Sequence, residues 1–215
     1  MVSYLLSKYL WGSGEQQRQR TALSALCDEM GLDLVKARGL RPDRVIGMVN
    51  GWYVSVGYYQ VFVGLGGSKN LTQFTAYYAQ PIDFSFNINY GRSMLDPKKK
   101  RLAFQTGGPE IENNYYMKTN DESKFRQFLG HTSWRELLRS KVTVRLLGGE
   151  YKSLGHSELY YHVSSFVYDT QQLKSIIENL VETITHMQKI GFAEPVGGKW
   201  LEQNIFVPVE KGKDL

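Results

Sequence analysis

Polar and apolar residues alternate most cleanly between Ile82 and Tyr90. Ile82, Phe84, Phe86, Ile88 and Tyr90 would share one side of an extended chain, with Asp83, Ser85, Asn87 and Asn89 on the other. A period of two with one apolar face predicts a strand covered on one side and wet on the other, the usual condition of an antiparallel sheet. Runs over 45–49 and 52–58 flank Asn50-Gly51. That pair selects a type I′ hairpin turn, because both central residues need positive φ. The second run continues through Val61 and Val63, and Gly57 within it predicts a bulge or bend. Residues 64–70 read as a turn before a strand over 71–79. Further strands are predicted over 102–106 and 111–119, around Val142, Val144 and Leu146, and over 158–168.

The period changes to that of a helix elsewhere. Ala22, Leu23, Leu26, Cys27 and Met30 predict a helix over 15–30 with Gly31 as its C-cap. Asp121 opens a short helix carrying Phe125, Phe128 and Leu129. Ser133 and Glu136 form a capping-box pattern ahead of Trp134, Leu137 and Leu138. The longest stripe runs through Leu173, Ile176, Ile177, Leu180, Val181, Ile184, Met187 and Ile190, opened by Asp169 or Thr170 and closed by Gly191. Parallel βαβ units would need a helix after nearly every strand. The predicted fold is therefore α+β: a large curved antiparallel sheet with the N-terminal helix and the long C-terminal helix packed on one face, and two short helices inserted between strands. Residues 1–14 form a lead, 15–191 a single domain, and 192–215 a partly ordered tail.

Composition narrows the class. The 215 residues are 42% hydrophobic and 22% charged, as in folded globular chains, which excludes disordered and collagen-like classes. The single cysteine, Cys27, excludes an intrachain disulfide framework, and its place on a helix stripe reads as a core thiol. The opening MVSYLLSKYLW lacks the apolar core and cleavage site of a signal peptide, and no apolar run reaches the roughly 18 residues of a membrane span. A cytoplasmic protein is expected.

Catalytic signatures do not emerge. No Gly-x-Ser-x-Gly elbow occurs. The histidines His131, His156, His162 and His186 make no i, i+4 pair of the kind that binds a metal on a helix. His156, Glu158 and His162 would share a strand face, which reads as polar decoration rather than as a metal site. The glycine-rich stretch at 64–69 lacks Walker spacing and precedes a strand, where a phosphate loop needs a helix. No cofactor is predicted, and the reading is against an enzyme.

Charge and aromatics carry the functional expectation. Up to residue 107 there are 13 basic and 7 acidic residues; beyond it, 13 and 14. The basic surplus gathers at Arg38, Arg41 and Arg44 and at Lys98, Lys99, Lys100 and Arg101, which are expected to meet an anionic partner. Tyrosine pairs at 58–59, 77–78, 115–116 and 160–161 should each send one ring to either side of a strand. Tyr59, Tyr78 and Tyr116, with Trp200, Ile205 and Phe206 of the tail, are the candidate protein contacts. The leading expectation is a non-enzymatic interaction module, an adaptor or accessory subunit that meets a protein partner or a second copy of itself. Nucleic-acid binding through the basic loops and exposed aromatics is the alternative. A small-ligand binder or enzyme on the concave sheet comes next.

Overall fold

The chain alternates between elements whose ends are fixed by short polar or glycine signals. In a computed structural model it is described over residues 13–36, 42–63, 67–90, 115–139, 144–149 and 156–197. The order is α1 (Ser13–Met30), β1 (Asp33–Val35), β2 (Arg44–Val49), β3 (Trp52–Val63), β4 (Gly67–Ala79), β5 (Phe86–Tyr90), β6 (Tyr115–Thr119), α2 (Glu122–Leu129), α3 (Ser133–Arg139), β7 (Val144–Gly148), β8 (Ser157–Val163), α4 (Thr170–Lys189) and β9 (Glu194–Pro195). The predicted strand over 102–106 lies outside the described residues.

Asp121 and Asp169 cap their helices as the sequence predicts. The Lys124 amide donates to Asp121 Oδ1 at 3.0 Å, and the Gln172 amide to Asp169 Oδ1 at 2.7 Å. α4 ends in a Schellman arrangement: Gly191 has φ +75°, its amide reaches the Gln188 carbonyl, and the Phe192 amide reaches the Met187 carbonyl at 2.7 Å. The β2–β3 hairpin turns at Asn50 and Gly51 with φ of 50° and 83°, as a type I′ turn requires.

The strands form one open, wholly antiparallel sheet in the order β1-β2-β3-β4-β8-β7-β5-β6, with β9 joined to β4. Strand register aligns Leu34, Val45, Val56, Phe74, Tyr161, Leu146, Ile88 and Met117 in a single row across it. That row is the floor of the main core. α1 and α4 close it from one side, touching each other as well as the sheet. α4 buries Leu173, Ile177, Leu180 and Ile184, while Leu23 and Leu26 come from α1. α2 and α3 add Phe125, Phe128, Trp134 and Leu137 to the same core. The core continues past α4 into Phe192 and Ala193, and Glu194 and Pro195 then pair with Ala79 and Tyr78.

Inward-facing tyrosines tie the connections to the sheet. The Tyr58 hydroxyl donates to the Val167 carbonyl at 2.5 Å, and Tyr161 to the Leu137 carbonyl at 2.7 Å. Tyr115 donates to the Leu138 carbonyl. Thr72 donates to the Ser165 carbonyl and accepts from the Val167 amide, fixing the β8–α4 connection.

Three local expectations are corrected. Gly57 makes no bulge, since β3 pairs with β4 in unbroken register from Tyr53–Tyr77 to Val63–Gly67. β5 starts at Phe86 rather than Ile82. The preceding residues bend because the Ser85 carbonyl accepts from the Asn120 amide and Thr119 Oγ1, while Gln80 Nε2 donates to the Phe84 carbonyl. Ser133 does not cap α3 in a box with Glu136; its hydroxyl meets His131 Nδ1 at 2.9 Å and Thr183 Oγ1 at 3.1 Å.

The two members of a tyrosine pair should differ sharply in their contribution to the fold. Tyr161→Phe strands the buried Leu137 carbonyl and should cost about 1–3 kcal/mol, whereas Tyr160→Phe should cost about 0.5 kcal/mol or less. Urea unfolding midpoints of the two variants check this ranking.

Candidate docking face

Strict alternation turns every second residue of the sheet away from the helices. Three rows build this outer face. The first aligns Arg44, Gly57, Gln73, His162, Asn89 and Tyr116, with Arg145 in register between His162 and Asn89. The second aligns Asp33, Ile46, Ser55, Thr75, Tyr160, Leu147, Asn87 and Lys118. The third carries Met48, Tyr53, Tyr77 and Glu158. Polar and aromatic groups dominate all three, with Ile46 and Tyr77 forming a small second apolar cluster against Val35, Tyr53 and Val196.

Hydrogen bonds hold the outer groups in place. Tyr160 donates its hydroxyl to Gln73 Oε1, and His162 Nδ1 meets that hydroxyl, both at 3.3 Å. The Tyr160 and His162 rings pack edge to face at 5.4 Å. Ser55 Oγ lies 3.1 Å from the Tyr77 hydroxyl. Burial, aided by the Glu158 charge, pushes the Tyr77 hydroxyl up to about 12 against the pull of Ser55 and Arg44. Gly57 leaves room for a neighbour: a Cβ there would sit 3.1 Å from Cε2 of Tyr59 and 3.3 Å from Cβ of Arg44. The Tyr59 ring thus lies back over the glycine, beside the arginine. That close approach, not a bulge, explains Gly57.

At one end of the face His156 Nε2 lies 3.3 Å from Glu158 Oε1. His156 is buried, and burial holds the Glu158 carboxyl above the ordinary range, opposed by His156 and then by Arg44. His162 stands farther along the strand and bonds Tyr160 instead. Among the described residues no three potential ligands converge on a metal position. Cys27 is half-buried, and its thiol is raised by burial, then by Asp28 and Asp33. A raised thiol is a poor nucleophile at neutral pH.

The sequence-level candidates divide accordingly. Tyr59, Tyr116 and Arg44 share the outer face, with Tyr59 and Tyr116 half-buried. Tyr78 does not belong there: it is fully buried on the helix side, following the parity of Phe74 and Ala76. Its partner Tyr77 faces outward, but is buried as a member of the small apolar cluster. Arg38, Arg41, Lys98, Lys99, Lys100, Arg101, Trp200, Ile205 and Phe206 fall outside the described residues. Missed by sequence reasoning were Met48, which is 54% exposed, and Tyr53; Tyr160 and His162, which the sequence offers only as one of a paired ring and as polar decoration, join them on the outer face. Counting by twos from Val54, Val56, Leu159 and Tyr161 would have found the last three.

No family model, curated protein or solved structure matches the chain. No helix among the described residues is long and apolar enough to cross a membrane.

Glu158 generates a pH prediction. A carboxyl raised in the folded state stabilises the protein fully below its unfolded value near 4.3, and that contribution is lost as pH rises through the folded value. Glu158→Gln removes the cost of burying the charge. Its unfolding midpoint in urea should gain on the wild type between pH 4.5 and 7.5; a constant difference would contradict the assignment.

Proposed function

We propose that this chain is a non-enzymatic interaction module, an adaptor or accessory subunit, that docks a protein partner with an acidic surface on its outer sheet face. The observation that carries this reading is the set of half-buried Tyr53, Tyr59, Tyr160 and Tyr116 spread across the outer face, with exposed Met48 paired to Tyr53, on the side of the sheet opposite the described helices. Tyrosine and methionine are typical interface anchors, because they offer large contact area at low ordering cost. Tyr160 is already oriented by Gln73 and His162, which lowers that cost further.

Charge selects the partner. Arg44, Lys69 and Lys118 lie on this side of the sheet with Asp33, and Glu158 is engaged with His156 and feels the charge of Arg44. Exposed Lys69 and Lys118 outnumber exposed Asp33 on this face, which favours an acidic partner surface. The basic run at 98–101 is expected to steer the same partner.

The test is affinity purification of the native chain from its own cells, followed by reconstitution with the purified partner. Combined Met48→Asp and Tyr59→Ser changes should weaken binding by at least about tenfold, with unchanged unfolding midpoints. Neutralising residues 98–101 should slow association and flatten its salt dependence. A partner whose affinity ignores the face variants would overturn the reading. Salt-sensitive binding to single-stranded nucleic acid, lost with the same basic run, would replace it with the nucleic-acid alternative.

A further inference from the structure

The corner between α2 and α3 rests on α4 through two imidazoles. His131, in the corner, and His186, on α4, stack with ring centroids 4.6 Å apart and an interplanar angle of 19°. Their surroundings are unequal. His131 is half-exposed, holds Ser133 Oγ at 2.9 Å through Nδ1, and brings Nε2 to 3.9 Å from Glu182 on α4. His186 has its Nε2 buried with no hydrogen-bond partner. The same contact carries Thr183 Oγ1 to Ser133 Oγ at 3.1 Å, so the corner is pinned at two neighbouring points. Beneath it lie Phe128 and Trp134, both fully buried.

We propose that the His131–His186 stack is a proton-operated latch, closed while the buried His186 ring is neutral and released when that ring takes a proton, freeing the α2–α3 corner from α4. His131 is the ring open to solvent, with Glu182 3.9 Å from its Nε2. A proton reaching His186 must enter a buried ring stacked on His131. The groups acting on His186 come from each packed element. His131 in the corner and Lys189 on its own helix oppose its charge, while the carbonyls of Gln127 and Phe128 at the end of α2 favour it. On α3, Arg135 is turned onto the Trp134 ring at 5.4 Å. Burial is the largest influence, and the balance leaves His186 below its ordinary value.

The sign of the linkage follows. A base with a depressed folded value binds its proton more readily once the contact opens. The latch is therefore fully closed above a pH of about 6.5, the ordinary histidine value, and weakens as pH falls from there towards the folded value. Opening would expose Phe128 and Trp134, converting a proton signal into new apolar surface.

Two measurements on the full chain test the latch. In NMR titration His186 should take its proton below pH about 6.5, and His131→Gln should move it upward. Titration of His186 at or above the ordinary value, or no movement in His131→Gln, would overturn the proposal. In hydrogen exchange, corrected for intrinsic rates, protection over 122–139 should fall severalfold relative to β3 and β4 between pH 7.5 and 5.5, up to the ceiling of about tenfold that one histidine allows. His186→Phe keeps a flat ring against His131 and should abolish that fall. A fall of equal size in His186→Phe would also overturn the proposal. The NMR titration of the wild type and of His131→Gln decides the matter should the phenylalanine variant not fold.

Discussion

The structure depends on one row of side chains. From Leu34 at one edge to Met117 near the other, eight strands each contribute one residue to a line that faces α1 and α4. Burying that line is the dominant gain available to a sheet covered on one side. It also settles everything on the reverse. Because side chains alternate strictly, placing Phe74 and Tyr161 inward forces Gln73, Thr75, Tyr160 and His162 outward. Core and outer face are two readings of the same register, and neither can shift without the other.

Hydroxyl groups then join layers that apolar packing alone would leave free to slide. Tyr58, Tyr115 and Tyr161 each reach from the sheet to a backbone carbonyl of a connection or a helix end. The Trp52 indole N–H donates to the Thr185 hydroxyl of α4 at 3.0 Å. Apolar contact fixes how close two layers lie; a buried hydrogen bond also fixes where they meet. The tyrosine-rich composition therefore serves two ends. On the inner side the rings are anchors of the fold. On the outer side Tyr160 is an ordered but half-buried surface group.

Much of the fold was legible because its signals are local. Asn50-Gly51, the Asp121 and Asp169 caps and the stripe from Leu173 to Met187 each declare themselves within a few residues. The fold class followed from the order of those elements. The failures share a different origin. Gly57 reads as a bulge until Tyr59 is seen lying over it, and Ser133 reads as a cap until Thr183, fifty residues away in sequence, claims its hydroxyl. Tyr78 was assigned to the outer face because a pair of identical residues carries no parity of its own; only the frame set by Phe74 and Ala76 distinguishes it from Tyr77. The outer face was harder still, since its rows join residues from strands far apart in sequence.

The β3–β4 ladder reaches beyond its neighbours. β2 stops pairing at Gly57 and β8 at Thr72, yet β3 and β4 remain paired out to Val63 and Gly67. Among the described residues this two-stranded arm pairs with no third strand, so within them its length can change only in matched pairs, one residue from each strand. A single inserted residue nearer the sheet would leave the arm intact and exchange the two sides of one central strand, turning Phe74 to solvent and Thr75 into the core.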